Sequence, residues 1–232
     1  MFHESKPMIY SMSCTRSSKI SLTSFRLENY FKSLNINHRW LVGEKSIFDA
    51  YRNEVERINP SDEDILIMCH DDIEIWDDQN QFIETLNVCT KNKVGFVGVA
   101  GTTHLKKQAV WWDIEQRKSG ELRGFVWQGK GRDEFYPNWF GASGRVVALD
   151  GCFMAASGKT LKELGMNKPK YFPGDWDFYD IHYTTKAYNK GLTNLVVPIH
   201  ILHNSPGELV AGRGWAENRA GFIKNERLPI KC

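Results

Sequence analysis

The chain has 232 residues, of which 41% are hydrophobic and 25% charged, with a net charge of +2. That length buries a full core without disulfide or metal staples, and the composition excludes a disordered chain. A charge balance so close to zero speaks against a dedicated nucleic-acid binder.

Aromatic residues reach 12% and include eight Trp, whose faces can stack on sugars or bases or fill a core. The five cysteines, Cys14, Cys69, Cys89, Cys152 and Cys232, are odd in number and lack any Cys-x-x-Cys spacing. They read as reduced thiols of an intracellular, cytoplasmic protein. No secretory core or transmembrane stretch is legible, which leaves membrane contact to the surface.

Met8–Cys14 reads as a strand that ends in the polar turn 13–18. Ser21–Leu34 reads as a helix with Leu22, Phe25, Tyr30, Phe31 and Leu34 on its stripe. Arg39–Val42 is a strand closed by Gly43. Ser46–Ile58 places Ile47, Tyr51, Val55 and Ile58 on one helical face, with Ser46 able to cap it. Asp64–Cys69 is a continuous apolar run, the pattern of a central strand covered on both faces, and it stops at His70-Asp71-Asp72. Gln79–Lys91 reads as a helix and Lys93–Val99 as another buried strand. Strand and helix alternate to this point, which predicts an α/β fold with a mostly parallel sheet.

From Gly101 to Gly144 the periodicity is lost, and a long, mobile functional loop is expected. Arg145–Ala156 resumes strand character around Asp150-Gly151. Ser157–Leu164 and Asp177–Lys190 read as helices, Leu192–Pro198 as a strand and His200–Ser205 as a polar loop. A weak helix and a basic tail follow from Gly207. Nothing marks an internal boundary, so residues 1–232 are expected to form one domain.

Three blocks can carry chemistry. Asp71 and Asp72 follow a buried strand, where open α/β sheets bind ligands, and hard oxygens there suit Mg2+ or Mn2+ on a diphosphate. Taken alone, the block also reads as an acidic turn. His203 lies beyond a later strand and offers an imidazole ligand, or a surface histidine. In Gly174-Asp175-Trp176-Asp177-Phe178-Tyr179-Asp180, Asp175 and Asp177 can cap the helix. Asp180 lies inside the helix and is the candidate general base.

In order, these blocks resemble the GT-A glycosyltransferases of the family-2-like type, and most nearly the streptomycin-biosynthesis-type subgroup. The matching segments are Ala50-Tyr51-Arg52-Asn53-Glu54, His70-Asp71-Asp72 and Val97-Gly98-Val99-Ala100-Gly101. They continue with Asp150-Gly151-Cys152-Phe153-Met154, Tyr179-Asp180-Ile181-His182 and His203-Asn204-Ser205-Pro206-Gly207. Two positions depart from the pattern: His70 stands where the first Asp of a DxD motif is usual, and His182 stands where an acidic residue is usual.

The resemblance implies a GT-A-like, Rossmann-type nucleotide-diphospho-sugar transferase fold. It implies transfer of a sugar from a nucleotide-diphosphate sugar donor to a glycan or other hydroxyl acceptor, with inversion. Asp72 and His203 would hold Mn2+ or Mg2+. Ser13, Thr15, Glu44, Asn53, His70 and Asp71 would contact the donor, and Asp150, Gly151, Trp176 and Asp177 the acceptor. Asp180 would be the catalytic base, and the Trp-rich stretch 111–139 part of the acceptor wall. Two alternatives stay open: a sugar nucleotidyltransferase, which would usually carry a glycine-rich basic loop absent from Ser13–Lys19, and a non-catalytic binder of sugar or nucleotide.

Overall fold

The computed structural model describes residues 7–16, 21–205 and 213–232. Ser17 and Ser18 of the polar turn 13–18, and Pro206-Gly207 of the His203 motif, lie outside them.

The amino-terminal half follows the alternation of its hydrophobic pattern. Strand β1 (Ile9–Thr15) leads to helix α1 (Leu22–Ser33), whose first turn is capped by the Ser21 hydroxyl. The buried stripe of α1 is Ser24, Leu27 and Phe31, while Leu22 and Phe25 face outward. Strand β2 (Asn37–Val42) turns through Gly43, whose φ of +68° is open to glycine without strain. Helix α2 (Ile47–Ile58) is capped by Ser46 and buries Ile47, Tyr51 and Val55, as their spacing dictates. Strand β3 (Ile65–Cys69) is buried along its whole length. The acidic turn after it reverses into a short strand, β4 (Ile73–Ile75), that the pattern did not announce. Helix α3 (Gln79–Leu86) and strand β5 (Val94–Gly98) complete this half.

The expected loop over 101–144 is instead ordered structure. It contains β6 (Ala100–Thr102), β7 (His104–Leu105), α4 (Ile114–Lys118), β8 (Leu122–Gly129), β9 (Phe135–Gly141) and the start of β10 (Gly144–Val146). Along β8, Leu122, Gly124 and Val126 are buried while Arg123, Phe125 and Trp127 are partly exposed, a period of two. Glycine at one inward position masks that alternation in the sequence. Gly124 has φ +108°, and a Cβ there would lie 2.0 Å from the Val99 carbonyl oxygen.

The chain continues through β11 (Ala148–Leu149), β12 (Phe153–Ser157), α5 (Gly158–Leu164), α6 (Tyr179–Asn189), β13 (Thr193–Val196), β14 (Ile201–His203), α7 (Arg213–Asn225) and β15 (Ile230–Lys231). Residues 201–203, expected in a polar loop, are thus a strand. Helix α6 begins at Tyr179 rather than Asp177, because Phe178 takes a left-handed conformation, φ +70°, just before it. That turn swings Asp177 away, and no side chain caps the helix.

Among the described residues, the main sheet has seven strands in the order β10-β13-β5-β12-β3-β1-β2. It is mixed, not mostly parallel. Strand β1 runs parallel to β2 and β3, and β5 to β13, but β12 runs antiparallel to both β3 and β5, and β10 to β13. The reason lies in the excursion over residues 100–149. It leaves the carboxyl end of β5 and re-enters at the same end, with Phe153 opposite Cys69, so β12 must run backwards. A second sheet, β11-β6-β8-β14-β4 with β9 on β8, stands beside those carboxyl ends. Among the described residues, no helix is long and apolar enough to cross a membrane.

Candidate functional site

Several elements that end or start at this edge each deliver one part of a cleft of about 540 Å³. The end of β1 supplies Cys14, Thr15 and Arg16, and the end of β3 supplies His70, Asp71 and Asp72. The turn into β12 gives Asp150 and Gly151. The segment before α6 gives Trp176, Asp177 and Phe178, and α6 itself Tyr179 and Asp180.

Two backbone hydrogen bonds fasten the acidic turn. The His70 amide donates to the Cys152 carbonyl at 3.0 Å, and the Asn204 amide to the Asp72 carbonyl at 2.8 Å. Because β4 pairs antiparallel with β14, His203 lies opposite Ile73, next to that turn. Residues 133 positions apart in sequence therefore meet. His70 Nδ1 is 3.4 Å from His203 Nε2, His203 Nε2 is 3.4 Å from Asp72 Oδ1, and His70 Nδ1 is 3.8 Å from the same oxygen.

These three ligand atoms all fall within 4.8 Å of one another, a cluster able to hold a metal ion. Asp72 Oδ1 is buried and makes no well-formed hydrogen bond, its nearest donor being His203 Nε2 at 3.4 Å, so a cation would satisfy it. Two imidazoles and a carboxylate form a borderline-hard donor set that suits a divalent ion such as Mn2+. Burial alone would lift the Asp72 carboxyl, but the hydrogen-bonding approach and charge of His203, aided by His70, outweigh it and hold the pKa below the usual carboxylate range. Burial pulls His203 down, and Asp72 more than reverses that, so its pKa rises. Burial wins at His70, whose pKa is lowered.

Asp180 has the opposite character. Burial pushes its pKa up to about 7, and the charge of Asp150 adds to the effect, against hydrogen bonds from the Ile181 and Gly151 amides at 2.8 and 2.9 Å. A carboxylate held near neutrality is tuned to accept a proton at physiological pH. Asp177 is also raised by burial, to a smaller extent. Among the described residues, five aspartates line the cleft together with Arg16. A diphosphate entering such a site meets a repulsive field unless a divalent cation comes with it.

The outer wall comes from α7, whose helical pattern is weak in the sequence. Its buried Asn218 accepts from the Gly174 amide at 2.8 Å and donates to the Asp177 carbonyl at 2.8 Å, fixing the Trp176 segment. One turn earlier, Trp215 lines the cleft and packs on Phe178 and Trp112 at ring-centroid distances of 5.5 and 5.4 Å. No spacing signal in the sequence connects Trp215 with Asp72. Arg16, within the polar turn 13–18, lines the cleft, as do Tyr51 and Tyr179, which the sequence marks only as parts of matching segments.

Of the expected site residues, Thr15, His70, Asp71, Asp72, Asp150, Gly151, Trp176, Asp177 and Asp180 line the cleft, and His203 joins it through the metal cluster. Three do not reach it. Ser13 is fully buried, with its hydroxyl 3.2 Å from Cys69 Sγ on the neighbouring strand. Asn53 is exposed on the outer face of α2, where it accepts from Arg52. Glu44 is exposed beyond the Gly43 turn. His182 is buried against Phe172 and Tyr183 on the core side of α6, with its pKa lowered to about 4 by burial. The missing acidic residue there is therefore not missing from the cleft.

The aromatic stretch divides. Trp111 and Trp112 pack behind Trp215, whereas Phe125, Trp127, Phe135 and Trp139 cluster on the β8–β9 hairpin with Trp76, and none of these five lines the cleft.

Residues 30–205 match the model of the Glycosyltransferase like family, and the chain belongs to that family. Its fold is similar to that of GalNAc-T7, whose crystal structure holds UDP, GalNAc and Mn2+. The TM-score is 0.51 and the identity 13%, and the match covers 90% of this chain and 44% of that one. The chain thus spans less than half the length of that relative. Further similar structures are A197 from STIV, with TM-score 0.47, 11% identity and coverage of 83% and 82% of the two chains, and a glycosyltransferase involved in glycosylation of the major capsid of PBCV-1, with TM-score 0.41, 10% identity and coverage of 92% and 99%. No curated protein matches the chain significantly. The fold is α/β and GT-A-like, with a mixed central sheet.

Proposed function

We propose that residues 1–232 form one glycosyltransferase domain of the family-2-like, streptomycin-biosynthesis type, which moves a sugar from a nucleotide-diphosphate sugar to an acceptor hydroxyl with inversion. One observation carries this reading: a base tuned to about pH 7, Asp180, opens onto the same cleft as a His-Asp-His cluster with a carboxylate oxygen that makes no well-formed hydrogen bond. Asp72, His203 and His70 would hold Mn2+ or Mg2+. When bound, that cation supplies Lewis-acid neutralisation of the diphosphate.

The rest is the work of side chains. Thr15 and Asp71 flank the donor, and Arg16 offers it a guanidinium. Trp176 and Trp215 present ring faces to the apolar face of the acceptor sugar, and Asp150 and Asp177 accept from its hydroxyls. Asp180 takes the proton of the attacking hydroxyl. As that oxygen bonds to the anomeric carbon from the far side, the bond to the diphosphate breaks and its electron pair leaves with the nucleoside diphosphate. The five unpaired cysteines suit a cytoplasmic setting, with membrane contact at the surface where the acceptor is lipid-linked.

The test is a thermal-shift screen of nucleoside diphosphates with and without Mn2+. A ligand at about 100 times its Kd adds about 2.7 kcal/mol, roughly 5–10 °C for a chain of this size. Stabilisation by a nucleoside diphosphate only when Mn2+ is present is expected. No stabilisation by any nucleoside diphosphate, with or without the metal, would overturn the reading.

A further inference from the structure

Tyr179 is the first residue of α6, and its ring is held edge-on against Tyr51 at 5.8 Å, so packing fixes where its hydroxyl sits. That hydroxyl donates to the Gly151 carbonyl at 3.0 Å. The same oxygen lies 3.2 Å from Nε2 of His70. A phenol has a single proton to give. With that proton committed to Gly151, the oxygen can only accept from the imidazole, so Nε2 of His70 carries the hydrogen. A neutral imidazole protonated at Nε2 has its lone pair at Nδ1, the nitrogen that faces His203 and Asp72 Oδ1. Gly151 is part of the device. A Cβ at that position would stand 2.3 Å from the Tyr179 hydroxyl, so only glycine leaves room for it.

We infer that Tyr179 is a positioning residue for the cation site: its hydroxyl accepts the Nε2 hydrogen of His70 and thereby presents the Nδ1 lone pair to a divalent ion shared with Asp72 and His203. The purpose of the ion rests on the glycosyl-transfer reading; the hydrogen bonds do not. Partners of this kind, which fix the tautomer and ring orientation of a ligand, are worth about 10–100-fold in metal affinity. Because Asp180 follows Tyr179 on the same helical turn, one rigid element sets both the third ligand and the base.

Two measurements test the assignment. Long-range nitrogen–proton correlation on the metal-free protein, at mildly alkaline pH, reads the tautomer of His70 directly and is expected to show the Nε2–H form. Titration with Mn2+ alone is expected to show Tyr179→Phe binding about 10–100-fold more weakly than the unaltered chain, with His70 released into a mixture of tautomers. An Nδ1–H tautomer in the unaltered protein, or unchanged Mn2+ affinity in a folded Tyr179→Phe variant, would overturn the assignment. Failure of the unaltered protein to bind Mn2+ at all overturns both the cation role and the metal-dependent reading. Binding of Mn2+ without any response to nucleoside diphosphates overturns the transfer reading and leaves the role of Tyr179 standing.

Discussion

Replacing Asp180 by Asn keeps the shape of the side chain and removes its basicity. The pKa of this carboxyl rises from 3.8 to about 7 on folding, about three units. At about 1.4 kcal/mol per unit, the ceiling on the linked free energy is about 4 kcal/mol. Its residue is only partly buried, so solvent screening reduces that figure to the order of 2–4 kcal/mol. The sign follows from proton counting. Between the two pKa values the folded state holds the proton more tightly than the unfolded state, so stability from this group is full below about pH 4 and is lost as pH rises through about 7. Asn cannot ionise and escapes that loss. One acceptor is also surrendered, because the amide nitrogen cannot accept from Ile181 or Gly151 as the carboxylate does, at a cost of about 1–2 kcal/mol that does not vary with pH. The stability of Asp180→Asn relative to the parent chain should therefore climb by about 2–4 kcal/mol between pH 4 and pH 7.5, whatever its starting offset. Urea denaturation at a series of pH values measures it. Sugar transfer by the variant should fall by about 10²–10⁴-fold while Mn2+-dependent donor binding persists. A flat difference across that pH range would show an ordinary carboxylate, and near-normal transfer would pass the role of base to Asp177.

Asp72→Ala should abolish Mn2+-dependent binding of nucleoside diphosphate, and His203→Ala should weaken it less, because Asp72 Oδ1 approaches both imidazoles; calorimetry that finds both variants unchanged removes the cluster from the donor site. Asn194 is buried, accepting from the Phe96 amide and donating to the Thr184 and Val147 carbonyls. Asn194→Ala should therefore cost about 3–5 kcal/mol in chemical denaturation, and a loss under 1 kcal/mol would mean that water takes those places. The transfer rate of the unaltered protein should rise with pH through an apparent pKa of about 7 in kcat/KM, and a profile flat from pH 5 to 8 would contradict Asp180 as the base. Amide protons of Leu122–Gly129 should be protected in the ligand-free protein, since β8 is paired on both edges; rapid exchange there would restore the mobile loop that the sequence suggested.

Local pattern carried the first half of this molecule. The four-residue steps of α2 and the unbroken apolar run of β3 are each settled by neighbours along the chain, as are the Ser21 and Ser46 caps, so each was legible from residues alone. The acidic turn and Asp180 were legible as candidates from their places at the end of a buried strand and inside a helix start, but acidic turns and helix caps are common, and it was the order of the blocks along the chain that set them apart. What the chain could not show by itself is whatever depends on partners distant in sequence. The direction of β12 is set by where a fifty-residue excursion returns. The strand at Ile201–His203 exists because β4 and β8 lie on either side of it. Ser13, Asn53 and Glu44 have suitable chemistry, yet side-chain direction on a strand, a helix face and a turn sends them elsewhere. Trp215 enters the cleft only because Asn218 ties α7 to the Gly174–Asp177 segment. His70 acquires its role from a tyrosine 109 positions away, whose hydroxyl has one proton and has already given it to Gly151.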